Sequence, residues 1–170
     1  MIALGVDPGR YKTAYALIQH GNPNKILVVG SVPNQQVLPT LQTQLSLHQP
    51  RVALVERPFK RKKHINKEEL AYLFNLASQI ENWLSARGVK VLTLQANHPK
   101  AWIDEEAPLG WRQLLTGLRY SSEEDIWHYL FNLKKQGGLV GYIPRNKNQV
   151  DALGMALCVG GLGREGQQVA

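Results

Sequence analysis

The sequence predicts an α/β domain built on a five-stranded mixed sheet, three antiparallel strands followed by parallel ones, with helices on its flanks. Three observations carry that expectation. Short polar turns separate three apolar runs in the first third of the chain, and such connections join antiparallel neighbours. A long amphipathic pattern lies between two further apolar runs, the spacing of a right-handed parallel crossover. At 170 residues the chain has the length of one domain with a substantial core.

The first strand is Ile2 to Asp7, closed by the turn Pro8-Gly9-Arg10, and the second is Thr13 to Ile18. Gly21-Asn22-Pro23-Asn24 marks the next turn, and Ile26 to Val32 is the third strand. Gln35 to His48 has a weak helical period, with Val37, Leu38, Leu41 and Leu45 apolar and Pro39 interrupting it early. The fourth strand, Arg51 to Glu56, follows Pro50. Asn66 to Arg87 is the clearest helix, with Asn66 as cap and Glu69 completing a capping box. Its apolar face is Leu70, Leu73, Phe74, Ala77, Ile80 and Leu84, and Gly88 stops it before a fifth strand, Val89 to Leu94. Pro99 to Gly117 suggests one or two short helices, and Ser121 to Gln136 a capped helix with Lys134-Lys135 placed well near its C-terminus. The last helix spans about Asn146 to Val159. Residues 1–160 are therefore expected to form a single domain and residues 161–170 a flexible tail.

The formal net charge of +7 favours a polyanionic partner, because each neutralised phosphate releases counterions. The single Cys158 excludes an internal disulfide and a Cys-rich zinc site, and its apolar setting suits an inert buried thiol. No apolar stretch approaches the roughly 20 residues of a membrane span. The N-terminus reads straight into a strand without signal-peptide features, so a cytoplasmic location is the simplest expectation.

Three carboxylates point to chemistry. Asp7 closes one apolar run, Glu56 closes another, and Asp151 sits in the final helical pattern. An acid at the end of a buried strand is costly unless it is paired or binds a cation. Two such acids on neighbouring strands, with a third on a helix beside them, would line a pocket for Mg²⁺ or Mn²⁺ with oxygens.

The segments GVDPGRYKTAYAL, VALVERPF and NQVDALGMAL, in this order, resemble the RuvC branch of Holliday-junction resolvases within the ribonuclease H-like superfamily. Asp7-Pro8-Gly9 matches the turn after that family's first strand, Glu56 the acid ending its fourth strand, and Asp151-Ala152-Leu153 its last helix. The resemblance implies a ribonuclease H-like fold and two-metal hydrolysis of a phosphodiester. Asp7 would bridge two ions, Glu56 would hold one, and Asp151, with Asn148, the other. The chain departs from the family at Asn148, where an acid or His is usual one turn before the last Asp; the amide offers an oxygen but no charge. Residues 95–145 also depart from the family pattern.

Arg57, Lys60, Arg61, Lys62 and Lys63 follow Glu56 closely and hold five of the chain's 20 Lys and Arg residues. Beside a metal site such a run suits phosphate contacts, with Phe59 placed either to stack on a base or to join the core. Arg10, Lys12, Arg145 and Lys147 flank the other two acids and are candidates for the same contacts. Trp83 and Trp127 fall in helical segments and suit packing; Trp102 and Trp111, near Pro99-Lys100, suit packing first and contact with nucleic acid second. The five His residues show no metal-ligand spacing.

The leading expectation is a divalent-metal-dependent endonuclease acting as a homodimer on branched DNA, since symmetric nicking of a four-way junction needs two sites about a two-fold axis. Alternatives are a nuclease of the same fold acting on structured RNA, and a relative that binds nucleic acid without cutting. An actin-like ATPase shares the opening Gly-Val-Asp-Pro-Gly pattern but needs two such domains, for which the chain is too short.

Overall fold

The structure, a computed structural model, describes residues 1–59, 66–101 and 104–162. Strands β1 (Ile2–Pro8), β2 (Lys12–Gln19) and β3 (Asn24–Pro33) form the antiparallel meander. Strand β4 (Val52–Glu56) lies parallel to β1, and β5 (Lys90–Leu94) parallel to β4. Between them runs α2 (Lys67–Ser85), so the expected parallel crossover is present. The sheet order is β5-β4-β1-β2-β3-β6, which makes six strands rather than five. The additional β6 (Leu139–Val140) pairs Leu139 with Asn24 and Val140 with Lys25. Two residues are too few to carry an alternating pattern, which is why it was not legible.

Each face of the sheet has its own core. On one face Leu4, Val6, Leu17, Ala53 and Val55 pack against α1 (Val37–His48) and α2 through Leu41, Leu76, Ile80 and Leu84. On the other face Ala3, Ala16, Ile18 and Leu54 meet α5 (Lys147–Leu162), which is buried continuously from Val150 to Gly160. That uniform burial explains a nearly all-apolar helix: α3 (Trp111–Thr116) and α4 (Glu123–Lys135) cover its outer side.

Several local expectations change. Helix α1 runs through Pro39, because a proline in the first turn removes an N–H that has no intrahelical acceptor anyway. In α2 the Asn66 side chain caps the Glu69 N–H at 2.7 Å as expected. Phe74, however, is exposed and Leu76 takes the inward place. The stretch before Gly117 has one short helix among the described residues, α3. Helix α5 continues to Leu162, so the expected tail boundary at residue 161 falls inside a helix; residues 163–170 lie outside the described residues. No described helix is long and apolar enough to cross a membrane.

Candidate active site

The β1–β4 register pairs Val6 with Val55, so the next residue on each of these parallel strands is an acid, Asp7 and Glu56. Both follow the alternation that points Gly5 and Leu54 at α5. Gly5 is what lets α5 come close: a Cβ there would strike the Ala152 carbonyl oxygen and lie 2.7 Å from the Ala156 nitrogen. The helix thus crosses directly over β1 and brings Asp151 to the ends of the two strands. The turn after Asp7 is pinned by Asn34, whose amide donates to the Gly9 carbonyl at 2.9 Å and the Arg10 carbonyl at 3.1 Å. Thr13 donates in turn to the Asn34 side-chain oxygen at 2.9 Å.

Asp7, Glu56, Asn148 and Asp151 line one cleft of about 740 Å³, joined at its rim by Arg57 and Phe59. Phe59 is 40 % exposed, so it belongs to the cleft rather than the core. Arg145 and Lys147 line an adjoining cleft of about 540 Å³ together with Tyr120 and Trp127. Arg10, on the β1–β2 turn, and Lys12, the first residue of β2, are exposed and line neither cleft; Arg10 pairs with Glu69 at 3.9 Å. Lys60, Arg61, Lys62 and Lys63 lie outside the described residues, as does Trp102.

The segment from 95 to 123 supplies residues that the sequence did not mark. Trp111 is fully buried, and its indole Nε1 donates to Glu56 Oε2 at 2.8 Å. Its ring rests on α5 at Gly154, where a Cβ would come within 2.9 Å of it. The next residue, Arg112, is also buried and donates from Nη2 to Asp151 Oδ2 at 2.5 Å, with Glu123 Oε1 at 3.8 Å. Both are held by the backbone: Trp111 N–H donates to the Gln95 carbonyl at 2.9 Å and Arg112 N–H to the Ala96 carbonyl at 3.0 Å. Buried Gln113 ties the same loop down, accepting from the His98 and Gly110 N–H groups at 2.9 and 2.7 Å and donating to the Arg119 carbonyl. Trp111 is therefore a packing residue, as expected, and also the hydrogen-bond donor that orients one of the acids. No local pattern marks a residue whose partner is 55 positions away.

Burial and neighbouring carboxylates raise the pKa values of Asp7 and Asp151. Burial raises the Asp7 carboxyl well above the ordinary carboxylate range, and the charges of Glu56 and Asp151 raise it further. Burial pushes Asp151 up to about 7; the attraction of Arg112 opposes this and the charge of Glu56 adds to it. Burial alone would lower the Arg112 guanidinium, but Asp151 and Glu56 outweigh it and raise it. Asp151 Oδ1 is buried with no hydrogen-bond partner, an orphaned acceptor of the kind a metal ion satisfies. The oxygen-rich donor set therefore fits Mg²⁺ or Mn²⁺. As the side chains stand, no set of three acids, His or Cys among the described residues is gathered into ligating geometry.

No family model matches the chain. Among curated proteins it is similar to the crossover junction endodeoxyribonuclease RuvC of Halothermothrix orenii, 27% identical over 164 residues that cover 94% of this chain and 92% of the relative. The RuvC of Alkaliphilus oremlandii is 29% identical over 164 residues, covering 93% and 92%. Among solved structures, Thermus thermophilus RuvC in complex with a Holliday junction superposes with a TM-score of 0.72 at 20% identity, covering 98% of this chain and 96% of that one. The yeast mitochondrial Holliday junction resolvase gives a TM-score of 0.56 at 14% identity, covering 92% and 76%. With sequence similarity along nearly its whole length and the same mixed sheet and flanking helices, the chain is similar to RuvC proteins and shares their ribonuclease H-like fold.

Proposed function

We propose that the chain is a divalent-metal-dependent endonuclease that resolves four-way DNA junctions by paired symmetric nicks, acting as a homodimer in the cytoplasm. The observation that carries this is the convergence of Asp7, Glu56 and Asp151, from two strand ends and a buried helix, in one cleft. Similarity to junction endonucleases over 94% of the chain supports it. Asp7, between the other two acids in the sheet-and-helix arrangement, would be shared by two ions. Glu56, oriented by Trp111, would complete one ligand set, and Asp151 with the amide oxygen of Asn148 the other. Bound there, Mg²⁺ or Mn²⁺ would supply Lewis acidity towards the attacking water and the leaving 3′ oxygen. Arg57 and Phe59 at the rim, and Arg145 and Lys147 in the adjoining cleft, are placed to hold the phosphate backbone across the acids.

The test is cleavage of an end-labelled four-way junction in Mg²⁺ or Mn²⁺, with duplex DNA and structured RNA as controls and Asp7→Asn alongside. Paired symmetric nicks that vanish in the variant are expected. Cleavage of RNA alone would keep the chemistry and overturn the substrate. A second reading, binding without cutting, is favoured by the uncharged Asn148 and by Arg112 seated on Asp151. Chelator-resistant junction binding with no cleavage under any metal condition would decide for it. Sedimentation at micromolar concentration tests the dimer, and a monomer there would count against symmetric nicking.

A further inference from the structure

We infer that Arg112 is a built-in counter-cation for Asp151, which a divalent ion must displace before Asp151 can join the metal site. Arg112 has this role only if the acids hold metal as proposed above. Its guanidinium reaches Asp151 Oδ2 at 2.5 Å, and both side chains are no more than 5% exposed. The contact uses one carboxylate oxygen: Asp151 Oδ1 and Arg112 Nε are both buried without hydrogen-bond partners. A bidentate fork would have satisfied both atoms and locked the pair. This pair instead leaves one oxygen open to a cation and one donor free to find another acceptor.

A second acceptor for the guanidinium is close by. Glu123 Oε1, on the first turn of α4, lies 3.8 Å from Arg112 Nη2, the nitrogen that holds Asp151, and Glu123 is more exposed than Asp151. Arg112 forms part of the wall shared by the two clefts, so a short swing moves the guanidinium from the acidic side to the other. Its backbone is fixed to Ala96, so the exchange is a side-chain movement. Lys147, 3.4 Å from Glu123 Oε2, competes for the second seat and limits how tightly Arg112 is held there. Filling therefore has a tighter step that leaves the Arg112–Asp151 pair in place and a weaker one in which the ion must offset the loss of that pair to recruit Asp151.

Mn²⁺ titration of the chelator-treated full chain, followed by the electron paramagnetic resonance of free Mn²⁺ and by calorimetry, reads both steps directly. Arg112→Met should tighten the weaker step about tenfold or more, within the usual range of coupling between two ligands. Arg112→Lys keeps a charge and should leave the weaker step weak. Glu123→Gln removes the second seat and should loosen that step by about fivefold. If Mn²⁺ binds the wild type but Arg112→Met leaves the weaker step unchanged or loosens it, Arg112 is not its competitor. If neither protein binds Mn²⁺, the metal site itself is wrong and the inference falls with it. Should Arg112→Met not fold, Glu123→Gln decides alone, because an unchanged weaker step there removes the exchange.

Discussion

At the scale of single residues, the proposed function of the acids opposes stability. Asp7 and Asp151 are buried among like charges, and each raised carboxyl records a fold that would be more stable with the group neutral. Asp7→Asn should therefore abolish cleavage while raising the stability of the chelator-treated protein by about 1–2 kcal/mol, seen as a higher urea midpoint. A lower midpoint would mean that the ionised group is held by contacts other than metal. The pH dependence follows with a definite sign. Asp151 ionises near 3.8 in the unfolded chain and near 7 in the fold, so between these values the folded state keeps a proton that the unfolded state has lost. Its contribution is full below pH 3.8, falls as pH rises to about 7, and is flat above. Because divalent ions bind the ionised carboxylate, the gain in melting temperature on adding Mn²⁺ should be larger at pH 8 than at pH 5. An equal gain at both values would separate the ion from these acids. Trp111→Phe keeps most of the packing but removes the donor to Glu56, and should cost about 1.5–3 kcal/mol in chemical denaturation while leaving the fold intact by circular dichroism.

At the scale of elements, the strands and the long helices were legible because burial on one face writes a period into the sequence. The strand ends at Asp7 and Glu56 stood out as acids interrupting apolar runs, and α2 announced itself through its Asn66 cap. Asp151 was readable from its Asp-Ala-Leu context rather than from periodicity, since α5 is buried all round and has no polar face to contrast with. What was not legible is the covering layer. Trp111 and Arg112 act on Glu56 and Asp151 across the fold, and their short helix is set by tertiary hydrogen bonds to Gln95 and Ala96 rather than by its own pattern. The same closeness of elements makes Gly5 a sharp test. A methyl group there meets the backbone of α5 at Ala152 and Ala156, which cannot give way as a flexible side chain would. Gly5→Ala should push the helix off β1, cost about 1–3 kcal/mol as overpacking does, and weaken Mn²⁺ binding along with stability. Loss of stability with unchanged Mn²⁺ affinity would show that Asp151 does not depend on this crossing.

At the scale of the whole molecule, a net charge of +7 sits on a fold whose central cleft is acidic. The two signs are separated by place: carboxylates at the strand ends, and Arg57, Arg145 and Lys147 around the clefts. That arrangement suits the proposed polyanion, whose backbone would be gripped at the rim and brought over the acids, where bound metal would offset like-charge repulsion. The cations are not equivalent, however. Arg10 is paired with Glu69 and Lys147 with Glu123, whereas Arg57 and Arg145 make no ion pair among the described residues. A cation already neutralised by a neighbour releases fewer counterions when it meets a phosphate. For junction binding measured between 50 and 200 mM KCl in chelator, Arg57→Ala and Arg145→Ala should each reduce the slope of log K against log salt by about 0.9. Arg10→Ala and Lys147→Ala should reduce it by clearly less. Equal reductions in all four variants would mean that the phosphates pull every basic side chain from its partner, and that the pairing seen in the free protein does not choose the binding face.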